Sequence, residues 1–310
     1  MNGWNRFWHA SVSPSSLALF RVLFAYCLWR EIRTTRARGV DAIADGLFSL
    51  PYVDWIPQFS ADAYHLIHDL QYPIILAIGI GLFTRLSCGL LFVLQGWVFF
   101  ADQLSFRNHP YFFLLVLLVL ALSPAGEAFS LTACWRAFRA RVPLAERIFG
   151  EPQPATSQRL IQLQVCLVYF LAGLQKLHPT YLSGQVLWDK VAFELGRDRS
   201  GAFFEAWAPA LPETIAGWPW PWQAMALATV ALELGLPIGL WFARTRRPCI
   251  VLGLGFHASI AFIMDIDVFS YAMMATYLLF LKPDAIPRGL RAIGGGLKRV
   301  VAGRRAEAPA

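Results

Sequence analysis

The run Tyr169-Phe170-Leu171-Ala172-Gly173-Leu174-Gln175-Lys176-Leu177-His178 closes a long apolar segment with a lysine. The apolar part reads as a membrane-spanning helix, and the lysine poses the functional question. An ammonium group at membrane depth is costly unless it is paired, hydrated or neutral. Two readings of Lys176 are open. It marks a helix end and snorkels to the interface, or loss of hydration leaves a neutral amine, which is a usable base.

Composition sets the class around that run. The chain has 310 residues, of which 57% are hydrophobic and 15% charged, with a mean hydropathy of +0.49. A soluble domain has no means of hiding so much apolar sequence, so a polytopic membrane protein is expected. The net charge of +7 gathers at Arg136 to Arg147, at Arg244 to Arg247 and in the tail from Lys282 to Arg305. These clusters flank hydrophobic runs, which suits anionic lipid headgroups rather than nucleic acid. Cys27, Cys88, Cys134, Cys166 and Cys249 form no Cys-x-x-Cys pair, so they read as small apolar residues and no metal site is expected. The first apolar run contains Arg21 and lacks a small-residue cleavage site, so it reads as a retained span.

Near-continuous apolarity marks about eight spans, at 15–29, 74–83, 86–101, 111–123, 160–177, 223–242, 249–264 and 268–281. Thr84-Arg85 is expected to form the tight turn between the second and third. No stretch alternates like a barrel strand, so the fold class is all-α, a bundle of transmembrane helices without a large soluble domain. The expected organisation is a transmembrane domain over 1–283 and a basic, flexible cytoplasmic tail over 284–310. Loop charges put both termini in the cytoplasm; the run Arg30 to Arg38 is the one dissenting loop.

This topology gives the polar residues a depth. Lys176 falls at the outer end of the fifth span. His109 falls at the outer start of the fourth, after Asp102 and Asn108. His257 lies eight residues into the seventh, roughly 12 Å deep at about 1.5 Å per residue. Tyr169, Gly173 and Lys176 share one helical stripe, and the small Ala172 and Gly173 admit a close neighbour. His109 is either a cap for free backbone amides or part of a site. His257 is either a satisfied core histidine or a ligand-facing one. Arg21, Asp102 and Glu233 read as structural intramembrane polar residues; Glu233 is expected to pair with a cation such as Arg21, or to be protonated.

Several of these stretches carry a resemblance. Phe106-Arg107-Asn108-His109-Pro110-Tyr111 with Asp102, the run from Tyr169 to Leu177, Arg247 onward with Phe256-His257 and Phe269-Ser270-Tyr271, Phe20-Arg21, the stretch from Pro51 to Trp55 and Thr84-Arg85-Leu86-Ser87-Cys88 resemble the vitamin K-dependent γ-glutamyl carboxylases and their bacterial HTTM (horizontally transferred transmembrane) relatives. The resemblance runs in the same order up to about Pro283.

The resemblance implies a chemistry. In that family a lysine amine deprotonates a reduced naphthoquinone, which reacts with dioxygen to become a strong base. That base takes a γ-proton from a glutamate, and the carbanion takes up carbon dioxide. Carried over, Lys176 is the candidate base, with His109 beside it as a catalytic candidate. Asn108, His109, His257 and Tyr169 are the candidate cofactor-binding residues. The implied cofactor is a menaquinone-like naphthoquinol, with O2 and CO2 as co-substrates. The implied partners are membrane lipids and a periplasmic protein or peptide, with no nucleic acid. Two departures stand out: Gln175 replaces the first lysine of a pair, and Arg107 replaces an asparagine. The animal enzyme's large non-membrane region has no counterpart before residue 310, so the resemblance implies quinol chemistry more directly than the animal mode of substrate recognition. A non-catalytic quinone-binding or assembly protein on the same helices is the alternative.

Overall fold

In hydrocarbon, a chain segment must satisfy its own backbone groups, and a helix does so within one segment. The apolar runs take that form. The computed structural model describes residues 2–44, 51–56, 60–103, 106–143, 148–195, 219–263 and 266–292. It divides into two compact units: residues 1–161 with 281–310, and residues 162–280.

In the first unit, α1 (Gly3–His9) leads into β1 (Ser11–Val12), then α2 (Ser15–Ala44), α3 (Ala61–Ile80), α4 (Thr84–Ala101), α5 (Asn108–Ala121) and α6 (Leu131–Arg139). β1 pairs antiparallel with β2 (Gln153–Pro154), with Ser11 opposite Pro154. Helix α2 continues 15 residues past the expected span, and on that stretch Glu31 and Thr35 bond to each other and to Arg107. α3 starts on Ser60, whose hydroxyl accepts from the Ala63 amide, and ends at Gly81. Gly81 has φ of 73°, a left-handed geometry that favours glycine. A Cβ there would also overlap Ser130 and come within 2.9 Å of an Arg21 nitrogen.

The turn between α3 and α4 is therefore Gly81-Leu82-Phe83, not Thr84-Arg85. Phe83 is left-handed as well, and its amide donates to Thr132 Oγ1 at 3.2 Å. Thr84 and Arg85 already belong to α4.

Arg21 is the centre of this unit's polar core. Its side chain is fully buried. Its guanidinium donates to the carbonyls of Phe129 (2.6 Å), Ala125 (2.7 Å), Gly79 (3.4 Å) and Ala128 (3.5 Å). Five fixed donors suit a guanidinium to tying several carbonyls together. The pairing of Arg21 with Glu233 is thus corrected: Arg21 holds the end of α3 against the loop before α6, and Glu233 has another partner.

The boundary between units falls inside α7 (Thr156–Gln175). The second unit continues with α8 (Pro179–Leu182), α9 (Gln185–Leu195), α10 (Pro219–Gly239), α11 (Arg246–Ile263), α12 (Asp267–Thr276) and a 3-10 turn (Tyr277–Phe280). Gln162 Nε2 donates to the Leu279 carbonyl at 2.7 Å, joining the start of this unit to its end. Arg246 donates to the carbonyls of Leu240 (3.0 Å) and Trp241 (3.1 Å), which caps the end of α10.

Helices occupy all eight apolar runs. Among the described residues, Thr84–Ala101 and Pro219–Gly239 are long and apolar enough to cross a membrane, and Asn108–Ala121 and Val268–Phe280 are shorter apolar helices. The outward faces are apolar: Leu86, Leu90, Val93 and Trp97 form one exposed stripe along α4, and Val251 and Leu252 lie exposed on α11. Such faces need an apolar cover.

Residues 285–292 are helical, Ile286 is buried, and the Arg291 guanidinium stands 5.0 Å over the Phe149 ring. Arg147, Asp265, the stretch 196–218 of the Trp-rich connection and the tail from 293 onward lie outside the described residues.

Candidate functional site

Among the described residues, polar side chains gather inside both units. In the first, α2 places Glu31 two residues beyond the run 15–29, and its side chain is only 2% exposed. Its Oε1 accepts from Arg107 Nη2 at 3.1 Å and from Thr35 Oγ1 at 3.0 Å. Its Oε2 lies 3.1 Å from His109 Nε2. Arg107 also reaches Thr35 Oγ1 at 3.2 Å, and the Tyr64 hydroxyl donates to the Thr35 carbonyl at 3.4 Å. Burial pushes the Glu31 carboxyl up. The hydrogen bond and charge of His109, then the charge of Arg107, outweigh it, and Glu31 titrates below its ordinary range.

His109 is therefore not a helix cap. The residue before α5 is Arg107, which makes no side-chain cap bond, and the His109 ring instead engages a carboxylate from α2. Asn108 opens α5 and is exposed. Asp102 ends α4 with extended backbone.

In the second unit, Lys176 follows the last residue of α7. Its Nζ donates to both carboxylate oxygens of Glu233, each at 2.8 Å. Glu233 comes from the middle of α10 and is nearly buried, while the Lys176 side chain is about a quarter exposed, at 27%. The Tyr181 ring lies 5.8 Å from the same Nζ. The approach of α10 to α7 depends on Gly173: a Cβ there would come within 2.8 Å of Leu234 and 3.3 Å of Glu233 Cβ.

Seven residues before Lys176 on α7, Tyr169 is buried in the same unit. Its hydroxyl lies 2.6 Å from His257 Nε2 on α11 and 2.5 Å from the hydroxyl of Tyr277. His257 Nδ1 is buried and has no hydrogen-bond partner among the described residues. His257 is thus only half satisfied as a core histidine.

The structure brings Lys176 to Glu233 and Tyr169 to His257 within the second unit. It brings His109 to Glu31 within the first. Sequence reading missed Glu31 and Thr35, which lay past a span among arginines, and Tyr277, which sat inside an apolar run. The signal for Glu31 and Thr35 was their i, i+4 spacing on the face where α2 continues. Also unforeseen are His68 and Gln71, one turn apart on α3, whose side-chain nitrogens and oxygen are buried without partners among the described residues.

No solved structure matches the chain. The HTTM domain matches residues 9–285. Its members are membrane proteins, which accounts for the apolar outward faces of α4 and α11. The chain belongs to the HTTM-domain family, the domain of the vitamin K-dependent carboxylase-like proteins.

Proposed function

We propose that this chain is a multi-pass enzyme of the bacterial inner membrane, with about eight spans and both termini cytoplasmic, that oxygenates a reduced naphthoquinone to its epoxide. The observation that carries this reading is the Lys176–Glu233 pair. Across so short a hydrogen bond, in an apolar surrounding, the ammonium–carboxylate and amine–carboxylic acid arrangements differ by the position of one proton. Burial penalises the charged one.

The pair therefore works as a base in two linked movements. Nζ passes a proton to a Glu233 oxygen, and its freed lone pair takes the proton of a ligand hydroxyl. Lys176 ends as an ammonium beside a protonated Glu233, and the ligand carries the negative charge. When bound, a reduced naphthoquinone supplies the hydroxyl and, with dioxygen, the oxidising chemistry that side chains lack. Two features of the second unit fit such a group: the amine–carboxylate pair, and the unpartnered His257 nitrogen among aromatic rings. Asn108 and His109 enter the reading through the resemblance alone. With carbon dioxide, the same chemistry extends to γ-carboxylation of a glutamate in a periplasmic protein or peptide.

The same ion pair also favours a second reading, in which it is a tie between α7 and α10 in a non-catalytic quinone-binding or assembly protein. The test is epoxide formation by the purified full chain in nanodiscs with reduced menaquinone and oxygen. Epoxide that depends on Lys176 supports the enzyme. No epoxide overturns it in favour of the second reading, and copurified quinone then identifies the cargo.

A further inference from the structure

Three buried side chains from three parts of the second unit meet at one hydroxyl. Tyr169, His257 and Tyr277 are each 2% exposed. Tyr169 Oη is 2.5 Å from Tyr277 Oη and 2.6 Å from His257 Nε2. The contact between Tyr277 and α11 requires Gly253, since a Cβ there would overlap the Tyr277 hydroxyl.

With Tyr169 donating across one of its two contacts, the protons can be ordered in two ways. In one, Tyr277 donates to Tyr169, Tyr169 donates to Nε2, and the imidazole carries its own proton on Nδ1. This leaves one group unused, the Nδ1–H. In the other, Nε2–H donates to Tyr169 and Tyr169 to Tyr277. That order leaves two groups unused, the Tyr277 hydroxyl proton and the Nδ1 lone pair. Buried polar groups without partners are costly, so the order with fewer of them wins. Acidity agrees, because a phenol is a better donor than a neutral imidazole N–H, and the imidazole nitrogen a better acceptor than a phenol oxygen.

The remaining N–H is buried with no acceptor among the described residues. Around the imidazole stand the rings of Phe256, at 5.3 Å and 62°, and Phe269, at 6.2 Å and 82°. A neutral donor among aromatic rings disfavours a free ion, which would lose hydration without a countercharge, and suits a flat, apolar molecule that brings one acceptor.

We propose that Tyr277 and Tyr169 hold His257 as its Nδ1–H tautomer, and that this N–H donates to a carbonyl or hydroxyl oxygen of an uncharged, flat ligand in the second unit. Tyr169 and Tyr277 are positioning residues, and His257 is the binding one. Tyr277 supplies the direction: by donating to the Tyr169 oxygen it points the Tyr169 proton at Nε2. The ligand half of the proposal rests on the quinone reading above; the tautomer half does not.

The experiment is solid-state NMR of the full chain, with 15N-labelled histidine, in nanodiscs. His257→Gln assigns the signal. Menadione, a tail-less naphthoquinone, is the probe ligand. The expected result is a protonated Nδ1 and an unprotonated Nε2 before any ligand is added, with the Nδ1 signal shifting on menadione addition. Free imidazole side chains favour the opposite tautomer, so Tyr169→Phe is expected to bring Nε2–H up and to weaken menadione binding about three- to tenfold, the value of one neutral hydrogen bond. Gly253→Ala leaves both Tyr169 and His257 in place chemically but displaces Tyr277, and is expected to produce a mixture of tautomers. A wild-type His257 protonated on Nε2 overturns the proposal, and so does a tautomer unchanged in both variants. If the tautomer is as expected but wild type does not bind menadione, the ligand half falls together with the quinone reading and the positioning half stands.

Discussion

Lys176 and Glu233, 57 residues apart in sequence, meet through two hydrogen bonds of 2.8 Å, one to each carboxylate oxygen. A lysine at a helix end thereby acquires a counter-charge from the middle of another apolar helix. This relationship carries both the functional proposal and its alternative, and variants of the two residues separate them.

Lys176→Ala is expected to leave quinone binding largely intact and to slow epoxide formation by about 10²–10⁴-fold, the usual contribution of a positioned base. Lys176→Arg is expected not to restore it. A guanidinium does not give up its proton in a working pH range, so it cannot pass one to Glu233 and accept another. Equal activity of wild type and Lys176→Ala in the nanodisc epoxide assay would remove Lys176 from the mechanism.

Glu233→Leu strands the ammonium of Lys176 in a mostly buried place. Because Lys176 is about a quarter exposed, the cost is expected to be about 2 kcal/mol, below the usual ~3–5 kcal/mol for a fully buried broken pair. Glu233→Gln keeps a hydrogen-bonding partner and is expected to be milder in thermal unfolding. Its epoxide formation falls even so, since an amide cannot accept the lysine proton. Full activity in a stable Glu233→Gln protein would return Glu233 to a purely structural role.

Glu31 predicts how the first unit responds to acid. Its carboxyl titrates below the ordinary range because His109 and Arg107 hold the charged form. A group depressed on folding contributes stability above its unfolded value, about 4.3 for glutamate, and loses it as pH falls through the lower folded value. Wild type is therefore expected to lose stability more steeply below about pH 4.3 than Glu31→Gln does. At neutral pH, Glu31→Gln is expected to be the less stable of the two. Unfolding midpoints measured across pH in detergent check both; parallel curves would show that Glu31 does not carry the ion pair in solution.

Arg21 holds four carbonyls at the joint between α3 and the loop before α6. Arg21→Met fits the space but leaves those acceptors without their donor, and is expected to lower stability by about 3 kcal/mol. Arg21→Lys is expected to recover only part, because one ammonium cannot reach carbonyls in several directions. Thermal melts of both variants decide it, and a melt of Arg21→Met at the wild-type temperature would show that the joint does not depend on the guanidinium.

Sequence alone determined the helices. Apolarity and spacing are local properties, so the eight apolar runs were legible and helices lie on them, although α2 runs 15 residues past its expected end and α3 starts well before its expected beginning. The resemblance, carried by runs such as Tyr169 to Leu177, gave the family in the same way. What only the tertiary structure decided is which polar groups meet. Glu233 was expected to pair with a cation such as Arg21 or to be protonated; its partner is Lys176, an outcome that depends on helix packing at Gly173 rather than on any local signal. Thr84-Arg85 looked like a turn because charge interrupts the apolar run there. The chain instead turns three residues earlier, where Gly81 allows the left-handed backbone and Arg21 binds the carbonyls. Tyr277 lies 108 residues from Tyr169 and was one aromatic among many. A buried hydroxyl needs a partner in three dimensions, and a linear pattern records the need without naming the partner.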